Sequence, residues 1–332
     1  MNGKQQADNQ SIRRVTIRIH RAKPMPDHAG APSGRHRSNP FATDHGPAGP
    51  GRRQRLKRWT QDYLLDARPE DTLLDLLLTI KREQDPGLAF RYSCGHGMCG
   101  SDGAAVNGKP ALLCEATVAD CQAYTQAAPF RPTGTGSERR PSPGHLDQPG
   151  PFHDPAQLSQ DHLLVELGPL PGFPVLRDLI VDTTLMFDAI DQIHPWLQPG
   201  PADGALDAEG AATNPKGGPG SLEVRQTKDQ LAAYEQLSDC IDCGLCEAAC
   251  PIWSGGEAFI GPAALVAAAR FIHDSRDDRA IQRLEDLGGE DGLSACQSIR
   301  ACSRPCPRGI DVGETIWDLI ERSHHPQQPS HL

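Results

Sequence analysis

Residues 240–251 read CIDCGLCEAACP, and residues 296–307 read CQSIRACSRPCP. The first run places Cys240, Cys243, Cys246 and Cys250 at the steps C-x2-C-x2-C-x3-C, with Pro251 directly after. In such a run three thiolates wrap one iron–sulfur cube, and the fourth, turned away by the proline, serves the other cluster of a pair. Four cysteines at these steps do not recur by accident. The spacing predicts a pair of iron–sulfur clusters at this end of the chain.

The same template laid on the second run finds Cys296, Cys302 and Cys306, with Ile299 where the second cysteine is expected. Cross-ligation then groups Cys240, Cys243, Cys246 and Cys306 into a full set of four, which suits [4Fe–4S]. Cys250, Cys296 and Cys302 remain as a set of three, which suits [3Fe–4S] with the empty corner facing Ile299. Two ordinary four-iron clusters would need an eighth ligand, and no cysteine stands at the required position.

A third group lies upstream. Residues 94–102 read CGHGMCGSD, and Cys114 follows. The plant-type [2Fe–2S] spacing is C-x4-C-x2-C with a distant fourth cysteine. Cys94 and Cys99 make the first step, Asp102 takes the third position, and Cys114 is the distant ligand. A carboxylate is harder than a thiolate but can bind iron. The alternative is that Asp102 is only a turn residue. Glycines through this loop suit a chain wrapped tightly on a cluster, and a zinc site is the competing use of the same thiols. Cys121 fits no ligand spacing.

The elements around the cysteines place them. Val15–Ile19 alternates apolar and polar residues, as a half-buried strand does, and 62–66 is a second strand candidate. Pro69, Glu70 and Asp71 mark a helix start. Leu73, Leu76, Leu77 and Ile80 then fall on one helical face, and Asp85, Pro86 and Gly87 end it. Two strands, a helix and a cysteine loop are the order of a β-grasp ferredoxin domain. Further on, 163–167 reads as a strand and 175–196 as ordered and mixed helical. Helices are expected at 229–237, 262–273 and 312–323.

The fold class that follows is α+β: an N-terminal β-grasp [2Fe–2S] domain and an all-helical ferredoxin domain with [4Fe–4S] and [3Fe–4S]. The expected divisions are a disordered N-terminus over 1–14 and the β-grasp domain over 15–121, with a loop insert at 22–55. A low-complexity insert covers 122–160, the rest of the first domain and a connector 161–197, and a Pro/Gly-rich linker 198–222. The helical domain spans 223–323, with a disordered tail at 324–332.

The chain has 332 residues, a formal net charge of −10 and eleven cysteines. An acidic total argues against nucleic acid as a partner. The basic run at 52–58 reads as a solvated linker. No apolar run is long enough to span a membrane. The first ten residues lack the apolar core of a secretory signal, so the cysteines are expected to hold metal rather than form disulfides.

Beyond the cysteines, FRYSC at 90–94, NGK at 107–109, PLPGFPVLRD at 169–178, FIGPA at 259–263 and DSRD at 274–277 resemble segments of the iron–sulfur subunits of succinate dehydrogenase and fumarate reductase, the complex II family. Some members carry Asp at the place of Asp102. The resemblance implies an electron-transfer subunit docked on a flavoprotein that holds FAD. It implies membrane anchor subunits, a quinone as final acceptor, and a place on the cytoplasmic side of the inner membrane, peripheral through those partners. It also implies a quinone pocket bordered by Pro251, Ile252, Trp253 and Gln297, although ubiquinone-type members usually have His at the place of Gln297. No catalytic nucleophile or base is expected on this chain. The rival readings are a quinol:fumarate reductase subunit working in reverse, a soluble multi-cluster carrier for another dehydrogenase, and a zinc-stabilised scaffold.

Overall fold

The computed structural model describes residues 12–25, 55–121, 162–198, 205–206, 212–213 and 226–324. Strand β1 (Arg13–Pro24) buries Val15, Ile17 and Ile19 on one face, while Thr16, Arg18 and His20 stay partly open on the other. That period of two is the mark of a strand in a sheet with one covered face. Strand β2 (Leu56–Ala67) pairs antiparallel with β1 over its full length, from Arg13 opposite Ala67 to Pro24 opposite Leu56. On the open face Arg18 grips Asp62 with two hydrogen bonds of 2.8 Å.

Helix α1 (Leu73–Glu83) buries Leu73, Leu76, Leu77 and Ile80, the face expected from their spacing. It starts later than Pro69–Asp71 suggested. The Thr72 hydroxyl accepts the Asp75 N–H and the Asp75 carboxylate accepts the Thr72 N–H, a capping box that fixes the first turn. Strands β3 (Gly103–Val106) and β4 (Lys109–Leu112) form a hairpin on Asn107 and Gly108, both with positive φ, the backbone twist that a two-residue hairpin turn needs. Strand β5 (His162–Gly168) runs parallel to β1 and completes the sheet order β2-β1-β5-β3-β4.

Several expected boundaries move. The loop placed at 22–55 is shorter, because β1 runs to Pro24 and β2 begins at Leu56. Residues 56–58 of the basic run therefore belong to a strand rather than a linker. Strand β1 also begins inside the stretch 1–14 expected to be disordered. The region 175–196 opens with a hairpin, β6 (Val175–Arg177) and β7 (Ile180–Val181), before helix α2 (Thr184–Gln192). The linker 198–222 contains a short ladder, β8 (Ala205–Leu206) with β9 (Ala212–Thr213). The remainder of the inserts and both ends lie outside the described residues.

From Gln226 to His324 the described residues hold helices and turns and no strand. Helix α3 (Lys228–Ala232) is capped by Thr227, and a 3-10 turn at Gln236–Asp239 leads to the cysteines. Helix α4 (Leu245–Ala249) and helix α5 (Pro251–Ser254) are short, and α5 takes Pro251 in its first turn. Helix α6 (Pro262–Ile272) is buried nearly all round. Helix α7 (Ala280–Asp286) and helix α8 (Val312–His324) pack outside it; α8 takes in His324, the first residue of the expected tail.

Buried residues of both halves belong to one apolar cluster. Arg283, paired with Asp277, reaches across to the carbonyls of Ile193 (2.6 Å), His194 (2.9 Å) and Trp196 (2.8 Å) just after α2. A buried guanidinium with four good acceptors is a strong tie. It fixes how the first half sits on the second. No described helix is long and apolar enough to cross a membrane.

Candidate functional site

The loop between α1 and β3 carries Cys94, Cys99 and Asp102, and Cys114 follows β4. Strand register explains why they meet. Gly103 pairs with Leu112, so Asp102 and Cys114 flank the open end of the hairpin. Backbone N–H groups point at sulfur: Cys94 N–H to Cys99 Sγ (3.5 Å), Met98 N–H to Cys94 Sγ (3.4 Å) and Gly97 N–H to Cys114 Sγ (3.3 Å). Thiolates and sulfides of a cluster need such donors.

Cys99 is exposed, and its thiol is brought down to about 6 by the Ser101 hydroxyl, helped by the Cys94 N–H. Cys114 is buried, and burial pushes its thiol up to about 12. Asp102 is 3% exposed; its Oδ2 accepts the Cys114 N–H at 2.6 Å, and its Oδ1 is buried without a hydrogen-bond partner. An orphaned carboxylate oxygen beside three thiols is a donor set that fits a [2Fe–2S] cluster. It is costly otherwise, since a buried acceptor left unpaired loses about 1–3 kcal/mol.

A buried ion pair supports this loop from behind. Arg21 meets Asp85 and Asp178. Asp178 accepts the N–H groups of Ala22 (3.1 Å) and Ala89 (2.9 Å), which anchors the segment leading to Cys94.

The second half carries seven cysteines, none of them in a disulfide. Cys240, Cys243 and Cys246 enter α4, with Asp242 and Gly244 both at positive φ to turn the loop back. Cys250 ends α4 and begins α5. Cys296 closes one 3-10 turn, Cys302 lies in the next (Ala301–Ser303), and Cys306 follows it.

Burial dominates the chemistry here. It pushes Cys240 and Cys302 up to about 12, Cys243 to about 11, and Cys246 well above the ordinary thiol value. Neighbouring thiols add to the rise: Cys306 acts on Cys243, while Cys250 and Cys296 act on Cys302. Packed thiols that resist ionisation when alone become good ligands once iron supplies positive charge.

A shallow cleft with about 20 Å³ of enclosed space is lined by Cys250, Cys296 and Cys302 together with Pro251, Ile252, Gln297 and Ile299. Ile299 is 53% exposed at its edge. Trp253 does not line it. Its ring packs on Phe173 at 4.5 Å, in the first half of the molecule. Among the described residues no three His, Cys, Asp or Glu are arranged to hold a single metal ion.

The two regions touch. Gly100, at φ 65°, lies against Cys243, and a Cβ there would sit 2.7 Å from the Cys243 Cβ and 2.9 Å from its Cα. No local pattern announces this contact. Nor does one announce Glu247, which is fully buried and raised to about 8 by burial. Its Oε1 accepts the Ala263 N–H at 2.9 Å and so caps α6.

Comparison with known proteins agrees with this layout. Residues 16–188 match the model of a 2Fe-2S iron-sulfur cluster binding domain, and residues 236–310 match that of a 4Fe-4S dicluster domain. The fumarate reductase iron-sulfur subunit of Mycobacterium tuberculosis is 33% identical over 270 residues, covering 80% of this chain and 86% of that protein. The mitochondrial succinate dehydrogenase [ubiquinone] iron-sulfur subunit 1 of Oryza sativa subsp. japonica is 30% identical over 277 residues, 83% of this chain and 78% of the relative. Among solved structures, a chain of the Mycobacterium smegmatis Sdh1 complex in the apo form superposes with a TM-score of 0.61 at 21% identity, over 96% of this chain and 99% of that one. That last likeness speaks for the fold.

Proposed function

The chain belongs to the family of iron–sulfur subunits of succinate dehydrogenase and fumarate reductase, and from that premise we propose that it carries electrons between a flavoprotein holding FAD and a membrane quinone. It is a subunit of an oxidoreductase complex, with a 2Fe-2S domain followed by a 4Fe-4S domain. In our reading the first is a β-grasp domain over 15–121 and 161–197 and the second an all-helical domain over 223–323. When bound, the clusters supply one-electron carriers that link the two-electron chemistry of a flavin to that of a quinone.

The residues divide the work. Cys94, Cys99, Asp102 and Cys114 hold [2Fe–2S]. Cys240, Cys243, Cys246 and Cys306 hold [4Fe–4S]. Cys250, Cys296 and Cys302 hold [3Fe–4S], and Ile299 denies it a fourth ligand. Pro251 and Ile252 form an apolar wall for a quinone ring, and Gln297 offers an amide donor to its carbonyl. Trp253 supports that wall by packing on Phe173. Anchor subunits would complete the pocket and place the chain at the cytoplasmic face of the membrane.

The observation that carries the reading is the cleft in which Cys250, Cys296 and Cys302 stand beside Pro251, Ile252 and Gln297. It brings the three thiols beside the residues that would border an acceptor once anchor subunits close over them. The test is to co-express the chain with a flavoprotein subunit and anchor subunits of this family and assay succinate with a quinone and with a cluster-reactive dye. Both activities are expected, and Gln297→Leu should depress the quinone assay alone. A chain that purifies without iron, or an unaltered quinone rate in that variant, would contradict the respective part. The names of the relatives span both directions, and the same preparation assayed with quinol and fumarate decides between them.

A further inference from the structure

Arg308 lies two residues beyond Cys306, and its side chain does not stay with its own loop. Its Nη1 donates to the Met98 Sδ at 3.3 Å, and Met98 adjoins Cys99 in the first cysteine loop. Its Nη2 stands 3.8 Å from the Asp239 carboxylate, and Asp239 adjoins Cys240. Its Nε is buried with no hydrogen-bond partner. The side chain is 28% exposed, against 55% for Asp239.

One permanent cation thus sits where the first cysteine loop meets the Cys240, Cys243, Cys246 and Cys306 set. Nothing nearby neutralises it fully. A thioether is a weak acceptor, and the acid is beyond hydrogen-bonding distance and open to solvent.

We propose that Arg308 is a positioning and tuning residue shared by the first two electron-carrying centres: it clamps the two loops at their contact and makes each centre easier to reduce. This rests on the electron-transfer reading above. An added electron increases the negative charge held by thiolates on either side of the guanidinium. A fixed cation in a poorly hydrated place stabilises that charge far more than one in bulk water. One electron leaves the first centre as one enters the second, with no proton moved and no bond made. Because a single charge faces both centres, it favours reduction of both while changing the step between them less. Arginine suits the role because it stays protonated at any working pH.

The experiment uses the full complex with Arg308→Gln, Arg308→Lys and Asp239→Asn, each read by an EPR-monitored redox titration. Arg308→Gln should lower the equilibrium constant for reduction at both the first and second centres by several-fold to about tenfold, the order expected of one unit charge at a partly buried site. The three-thiol centre should move much less. Arg308→Lys should restore most of the loss, because it keeps the charge. Asp239→Asn should shift the same two centres the opposite way, since it removes the acid that offsets the cation. This last variant keeps the Arg308 contact with Met98 and, read together with Arg308→Lys, gives a second measure if Arg308→Gln fails to retain iron. Unchanged potentials in Arg308→Gln, or a downward or absent shift in Asp239→Asn, would overturn the proposal. A wild-type complex with no [2Fe–2S] signal would instead overturn the reading beneath it.

Discussion

The first cysteine loop and the seven-cysteine half solve the same ligand problem in opposite ways. The first is a short loop hung on a sheet. Its N–H groups aim at sulfur, one thiol is open and readily ionised, and its frame is a ladder of twelve-residue strands. The second draws its cysteines from two distant runs and carries them on or beside helices of four or five residues and 3-10 turns of three. Helices that short do not stand alone. The comparison teaches that one site is shaped by the fold, while the other helps to shape it.

The largest consequence concerns iron removal. Metal binding is folding energy where no preformed site exists. Chelation of oxidised protein should therefore free amides across 240–251 and 296–307, while those of β1 and β2 stay protected. Hydrogen exchange read by mass spectrometry checks this, and equal loss in both halves would break the contrast.

Trp253 sharpens the boundary between the regions. Its ring lies on Phe173, and Gly172 leaves no room for a Cβ beside it. Trp253→Ala should cost about 2–3 kcal/mol in denaturant unfolding. It should lower dye and quinone activities together, since the lost contact joins the halves. A selective loss of quinone activity would instead put the indole in the acceptor pocket.

A smaller effect separates two glycines of the first loop. Gly100 and Gly95 both have positive φ, but only Gly100 abuts another backbone. Gly100→Ala should lose about 1–3 kcal/mol and loosen the contact with Cys243, whereas Gly95→Ala should lose about 1 kcal/mol. Thermal melts of the iron-loaded protein compare the two.

Asp102→Asn is the mildest change. Asparagine can still accept the Cys114 N–H, so a role limited to that bond predicts an unaltered cluster. Ligation by Asp102 predicts a shifted [2Fe–2S] EPR signal and weaker iron retention, and this is the outcome we expect.

How far the sequence could be read follows from this contrast. The steps between cysteines could be read because each run is contiguous in the chain; how the runs 240–251 and 296–307 meet could not. The β1 alternation and the α1 face were legible because one side of each is buried. Strands β3 and β4 escaped notice: GAAV and KPAL have no alternation, and only the Asn107–Gly108 turn betrays them. Helices α4 and α5 were hidden because cysteines and a proline interrupt the helical period. The reach of Trp253 toward Phe173 instead of the cleft depends on which face of α5 meets the other half. The contacts of Gly100 with Cys243 and of Arg308 with Met98 are likewise tertiary. No spacing rule reports them.

The central claim is that the template position held by Ile299 determines the third centre. Isoleucine cannot bind iron, and its side chain stands at the edge of the cleft lined by Cys250, Cys296 and Cys302. EPR of the oxidised complex, wild type against Ile299→Cys, tests this directly. The account predicts a three-iron signal in the wild type that disappears in the variant as a fourth iron enters, with slower electron delivery to quinone. A three-iron signal of full intensity in Ile299→Cys, or none in the wild type, would contradict it.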